Sequence, residues 1–167
     1  MDIRCEHIID IDAEEYFDKI YFNDEFNSQL FKDLGFKERE VVKQEDRGDT
    51  IYREVRQVPV RELPKVILKA LGAEQLEYTE KGTYHKDRKM VDIEVVPSIK
   101  PDRIKVTGRF WIEPIEPGRC RRLFEMSVKA NIFGLGGTIE KSIAEETRKS
   151  YDVSAEITAR YIRDNLS

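Results

Sequence analysis

Residues 131–140 read NIFGLGGTIE. They end a strand-like run, pass through a Gly-rich turn and launch a helix that runs almost to Ser167. No Pro or Gly interrupts residues 138–167, so the spacing predicts a helix of about 28 residues, roughly 42 Å at the α-helical rise. That is more than twice the usual helix length in globular domains. What precedes it reads mostly as antiparallel strands. A lone long helix after a sheet has to bury one face against that sheet, and a curved sheet closed on such a helix commonly encloses a cavity.

The two strands before the turn are the clearest in the chain. In residues 103–113, Ile104, Val106, Gly108, Phe110 and Ile112 alternate with Lys105, Thr107, Arg109, Trp111 and Glu113. In residues 119–133, Cys120, Arg122, Phe124, Met126, Val128, Ala130 and Ile132 alternate with mostly polar neighbours. A two-residue period with one apolar face means a sheet with one solvated side. Residues 114–118 (PIEPG) supply the turn between them.

Working back, residues 36–46 and 49–58 flank the hairpin signal Asp46-Arg47-Gly48-Asp49. Residues 75–84 and 86–96 form another pair, with the turn expected near Gly82. Between these pairs, residues 59–72 read as a short helix or loop opened by Pro64 and ended by Gly72. Residues 3–9 read as a first strand. Two short helices follow it: one with Tyr16, Phe17 and Ile20 on one stripe, capped by Asp10 or Asp12, and one with Phe26, Leu30 and Leu34, closed by Gly35. The long helix carries Ile139, Ile143, Tyr151, Ser154, Ile157, Tyr161 and Ile162 on its broad stripe. Thr147, Ser150 and Ser154 make the middle of that stripe small and polar, which fits either an imperfect core helix or a helix lining a partly wet pocket.

Composition bounds the rest. One domain over 1–167 is expected at this length, with 40% hydrophobic and 37% charged residues and a net charge of −4 from 29 basic and 33 acidic side chains. The signs are interspersed, and the densest basic cluster, Arg119, Arg121 and Arg122, is split by Cys120. That argues against nucleic acid as the main partner. No apolar run approaches the roughly 20 residues that span a bilayer, and Asp2, Glu6, Asp10 and Asp12 do not resemble a signal peptide. Cytoplasmic localisation is the expectation, with Cys5 and Cys120 as free thiols at separated strand ends.

The order strand, two short helices, six strands, long C-terminal helix resembles the helix-grip fold. That is an α+β superfamily of START lipid-transfer domains, the birch-pollen-allergen group and polyketide cyclases. FNSQLFKDLGF (residues 26–36), PIEPGRCRR (114–122) and NIFGLGGTIEKSI (131–143) carry the likeness. These stretches look most like a branch known only as a domain of unknown function, and they are also similar to sterol-binding START-like domains of membrane-contact proteins. The resemblance implies a curved antiparallel sheet of about seven strands wrapped around the last helix.

Chemistry-bearing motifs are few. His7 and His85 are the only histidines and neither has metal-ligand spacing, no HExxH, CxxC, GxSxG or P-loop occurs, and no cofactor is implied. The glycines of GLGG read as a structural turn in preference to an anion cradle. No catalytic residue is assigned. The expected lining of a cavity is Phe110, Phe124, Met126 and Val128 from the sheet with Ile143, Tyr151 and Ser154 from the helix. Tyr52 and Arg53 are candidate polar anchors, although pairing of Arg53 and Arg56 with Asp92 or Glu94 on the outer face is the favoured reading. Trp111 and Tyr84 fit either the outer surface or a pocket mouth.

Three functions follow as expectations. The first is a soluble intracellular module that binds or transports a hydrophobic small molecule, a lipid, sterol or polyketide-like compound. Residues 59–72 or the turn 114–118 would then act as a lid; transient membrane contact stays open. The second, which the resemblance to polyketide cyclases allows, is a cyclase-like or hydrolase-like enzyme in the same pocket, with Tyr52, Arg53, Asp92 or Glu94 as its acid or base. The third is an interaction protein with a filled core. The oligomeric state is not legible.

Overall fold

The computed structural model describes residues 1–59 and 63–166. Strand β1 (Asp2–Ile9) leads into helix α1 (Ala13–Tyr16), which continues as a π-helical turn (Phe17–Tyr21), and then into helix α2 (Asp24–Asp33). Strands β2 (Phe36–Asp46) and β3 (Thr50–Pro59) follow, then helix α3 (Lys65–Leu71). Strands β4 (Tyr78–His85), β5 (Met90–Pro97), β6 (Ile104–Glu116) and β7 (Arg119–Ala130) precede the last helix, α4 (Gly136–Asn165).

The seven strands form one sheet in the order β1-β7-β6-β5-β4-β3-β2, antiparallel at every pairing. Six strands are a simple meander, and β1 closes its far edge by pairing with β7. The helix-grip expectation holds. At 30 residues, α4 is about 45 Å long, and it packs chiefly on β1, β7 and α2. Because it leans to that side, its middle stands off from β3, β4 and β5, and space is left between them.

The alternation expected in β6 and β7 is the alternation observed. Ile104, Val106, Phe110 and Ile112 are buried, as are Cys120, Phe124, Met126 and Val128, with Phe110 beside Phe124 in register. Cys5 and Cys120 are free and buried; Cys5 pairs with Phe124 and Cys120 with Ile9, so four residues of register separate them.

Several local readings change. The β4–β5 turn falls at 86–89, and Gly82 lies within β4 between Arg53 and Ile93. A Cβ on Gly82 would stand 3.4 Å from the Tyr21 hydroxyl, so the glycine marks a close approach of the π-helical turn to the sheet. Asp12 occupies the N-cap position of α1 but makes no capping bond; its Oδ1 accepts from the Gly118 amide and ties down the 114–118 turn. In α2 the cap is Asn23, whose Oδ1 accepts from the Phe26 amide at 3.0 Å. Glu140 of α4 turns back to accept from the Ala130 amide at 3.0 Å.

Candidate functional site

The space between α4 and the sheet is a cavity of about 470 Å³. Its floor is the inner face of the sheet: Ile93 and Val95 of β5, Ile104, Val106 and Phe110 of β6, and Phe124 and Met126 of β7. Its roof is α4, through Ile143, Thr147, Ser150, Tyr151, Ser154 and Thr158. The small polar middle of the helix is therefore the stretch that faces the space. The hydroxyls of Ser154 and Thr158 donate to the carbonyls of Tyr151 (2.8 Å) and Ser154 (2.7 Å), so they satisfy themselves within the helix.

One end is closed by aromatic rings on the π-helical turn and α2. Phe17 stacks on Tyr84 at 4.2 Å between centroids and lies 5.8 Å from Phe110, while Tyr21 lies 5.2 Å from Phe110. Asn27 holds this corner in shape, its side-chain amide donating to the carbonyls of Ile20, Tyr21 and Asn23 at 2.8–2.9 Å. The Asn23 carbonyl also accepts from the Asn27 backbone amide at 2.9 Å and the Ile20 carbonyl from the Asn23 backbone amide at 3.3 Å, so the side chain reinforces the backbone bonds where the π-helical turn meets α2.

Of the residues expected from sequence to line a cavity, Phe110, Phe124, Met126, Ile143, Tyr151, Ser154 and Arg53 line this one. Two expectations are corrected. Val128 is 0% exposed and lies in the packed core outside the cavity wall, beneath the part of α4 that sits directly on the sheet. Tyr52 points to the outer face, because Arg53, Val55 and Gln57 take the inward positions of β3; its ring lies under the Arg47 guanidinium at 4.4 Å. Asp92 and Glu94 are also exposed on the outer face, so Arg53 is the sole member of the expected acid–base set that turns inward. Arg56 pairs outside with Glu38 (2.8 Å) and Glu77 (3.2 Å), not with Asp92 or Glu94. Tyr84 lies inside against Phe17, and Trp111 lies outside, donating to Glu113 at 3.0 Å.

The structure surrounds Arg53 with polar groups that the sequence reading did not assign. Arg39 of β2, Arg53 and Gln57 of β3, and Tyr78 and Glu80 of β4 line the cavity together with Tyr21. Arg53 is 5% exposed, its Cζ 4.3 Å from the centroid of Tyr21 and 5.3 Å from that of Phe22. The Arg39 Cζ lies 4.5 Å from the centroid of Phe31. Burial pushes the Glu80 carboxyl above its ordinary range, while the positive charges of Arg53 and Arg39 pull the other way without overcoming it. Burial likewise raises the Tyr21, Tyr78 and Tyr151 phenols, which stay neutral. On the opposite wall Arg122 donates through Nη2 to the Tyr151 carbonyl (3.0 Å) and Ser154 Oγ (3.1 Å).

Both candidate lids can be placed. Residues 60–62 of the first lie outside the described residues; Pro59, Leu63 and Pro64 touch the cavity, and Ile67, Leu68 and Leu71 of α3 are buried. The 114–118 turn does not line the cavity. No group of His, Cys, Asp and Glu among the described residues is arranged to hold a metal ion, and no helix among them is long and apolar enough to cross a membrane.

A curved antiparallel sheet gripping a long C-terminal helix is the helix-grip, START-like fold, and here a cavity lies between the two. Residues 5–162 match the family described as a protein of unknown function, DUF2505, and the chain belongs to that family. Solved structures with the same fold include TTHA0849 from Thermus thermophilus, 15% identical with a TM-score of 0.71 over 100% of both chains. The Zhui aromatase/cyclase from Streptomyces sp. R1128 is 10% identical, TM-score 0.62, over 97% of this chain and 90% of that one. A START superfamily protein from Mycobacterium smegmatis is 14% identical, TM-score 0.55, over 93% and 97%. At such identities the likeness concerns the fold. No curated protein matches the sequence.

Proposed function

We propose that the protein binds a hydrophobic small molecule in the cavity between α4 and the sheet and carries it through the cytoplasm. The observation that supports this most directly is the cavity itself: about 470 Å³ of space, walled mainly by Phe110, Phe124, Met126, Ile93, Val95 and Ile143. That volume lies in the range of small-molecule sites, and the interior is not filled by side chains. A ligand burying on the order of 300 Å² of apolar surface would gain about 7.5 kcal/mol at 25 cal/mol per Å² before the cost of association. Entry would pass beneath the segment that holds Leu63 and Pro64, both of which touch the cavity. The test is native mass spectrometry of protein purified from its own host, followed by extraction. A co-purifying apolar compound supports the reading, and empty protein across repeated preparations overturns it.

One observation favours a second reading, catalysis in the same cavity. Glu80 is a buried carboxyl that burial raises above its ordinary range despite Arg53 and Arg39 beside it, and a raised carboxyl is what a general acid requires. The aromatase/cyclase activity named for Zhui is compatible with it. Conversion of a bound compound by wild-type protein, lost in Glu80→Gln with binding retained, would decide for the enzyme.

A further inference from the structure

Three charged groups line the cavity from the β2–β4 side, two of them cations: Arg39, Arg53 and Glu80. Arg39, Arg53 and Glu80 project from adjacent strands: Arg53 stands opposite Gly82, Glu80 opposite Val55, and Arg39 opposite Gln57. Arg53 and Glu80 are thus diagonal neighbours across the β3–β4 ladder. Among the described residues neither guanidinium makes an ion pair with a carboxylate. Arg53 lies against the rings of Tyr21 and Phe22 and is hydrogen-bonded to the Tyr21 side chain, while the Arg39 Nε is buried with no hydrogen-bond partner.

A guanidinium does not shed its proton in a protein, and burial without a partner is costly. Two such cations with one carboxyl nearby leave at least one positive charge uncompensated. That charge sits at the polar end of a cavity whose other walls are apolar. The remaining charged residues of the lining do not answer it. Glu145 and Glu146 are exposed on α4, and Arg122 is engaged by the Tyr151 carbonyl and Ser154. Gln57, 2% exposed and facing Arg39 in register, adds an amide at the same place.

We propose that the ligand is an amphiphile with a single acidic head, its carboxylate seated on Arg39 and Arg53 and its apolar body along Phe110, Phe124, Met126 and Ile143. This rests on the binding reading above and narrows it to one ligand class. A cationic head would face two like charges, and a neutral polar head would leave the surplus charge in place. The acid alone supplies what the site lacks.

Three fluorescent probes with one ring system test this: 1-pyrenebutanoic acid, 1-pyrenebutanol and 1-pyrenebutylamine, titrated at pH 7.5. The expected result is that wild-type protein binds the acid at least about tenfold more tightly than the alcohol or the amine, the scale of a hydrogen bond to a charged group. Arg53→Gln and Arg39→Gln should each lower the acid's affinity about tenfold while the alcohol's stays within about twofold, which also reports an intact cavity. If Arg53→Gln fails to fold, Arg53→Lys, keeping the charge, should retain part of the preference. An alcohol that binds wild type as tightly as the acid overturns the proposal and leaves the cavity reading standing. So does an acid preference that survives both glutamine substitutions. If none of the three probes binds, the cavity reading falls, and this inference with it.

Discussion

The rings of Phe124 and Tyr151 stack with centroids 3.9 Å apart and planes 19° from parallel. This contact joins β7 to α4 where the helix is otherwise small and polar, so it fixes the height of the roof above the sheet. Phe124→Ala should cost about 3–5 kcal/mol, the range for deleting a buried phenyl group. Urea unfolding followed by circular dichroism measures it. A loss below about 1 kcal/mol would mean that the helix is held by its ends alone.

The Gly-rich turn gives a sharper contrast. A Cβ on Gly136 would run into the Ala130 carbonyl oxygen, whereas a Cβ on Gly137 meets nothing within 4 Å. Both residues lie in the first turn of α4. Gly137→Ala should therefore stabilise by up to about 1 kcal/mol through helix propensity. Gly136→Ala should destabilise, since the obstacle is backbone and has to move. Thermal melts of the two variants side by side check the ordering; equal effects would refute a steric role for the glycine pair.

How much of this was legible depended on periodicity. Residues 104–112 and 120–130 alternate, broken at Arg122 and Leu123, and Phe110, Phe124 and Met126 of the cavity floor could be read from them, while Val128 was wrongly added and Ile93 and Val95 of β5 were missed. The polar end could not, for two physical reasons. Placing the turn at Gly82 broke the set Tyr78, Glu80, Gly82 and Tyr84 that faces inward on β4. An alternation with Thr79, Lys81 and Thr83 was present as a signal, but a carboxylate between inward positions runs against the hydropathy rule. Likewise Glu38–Glu40 reads as a solvated charge run, although Arg39 turns inward while its neighbours Glu38 and Glu40 turn out. A period-two pattern assigns charged residues to water by default. It fails where they are turned toward a cavity.

The basic cluster Arg119, Arg121 and Arg122 shows the same point from the other side. Arg119 pairs with Asp10 and Arg121 with Glu6, while Arg122 turns inward to α4, so the three charges do not form a shared surface.

The cysteines titrate as buried groups. Cys120 is 0% exposed, and burial pushes its thiol up to about 11; Cys5 is raised for the same reason. Unfolding returns both to an ordinary thiol near 9.0. A folded-state value above the unfolded one contributes stability in full below pH 9 and loses it as pH climbs from 9 toward 11. Folded protein should resist iodoacetamide at pH 8 and react fully in urea. Rapid labelling of Cys120 in the native state, read by peptide mass spectrometry, would contradict its burial.

Glu80 makes the corresponding prediction at the acid side. Burial, the largest influence, raises its carboxyl above the ordinary 4.5, and Arg53 and Arg39 only reduce the rise. The native state therefore binds the proton more tightly than the unfolded chain does. Its contribution is fully present below about pH 4.5, and it diminishes as pH rises through the folded-state value, where ionisation of the unfolded chain favours unfolding. Glu80→Gln, which mimics the protonated form, should match wild type near pH 4 and be the more stable of the two at pH 8. Paired urea titrations at both pH values measure the difference. A variant less stable than wild type at pH 8 would show that the two guanidinium groups need the ionised carboxylate, and that Glu80 serves as their counter-ion in place of a buried acid.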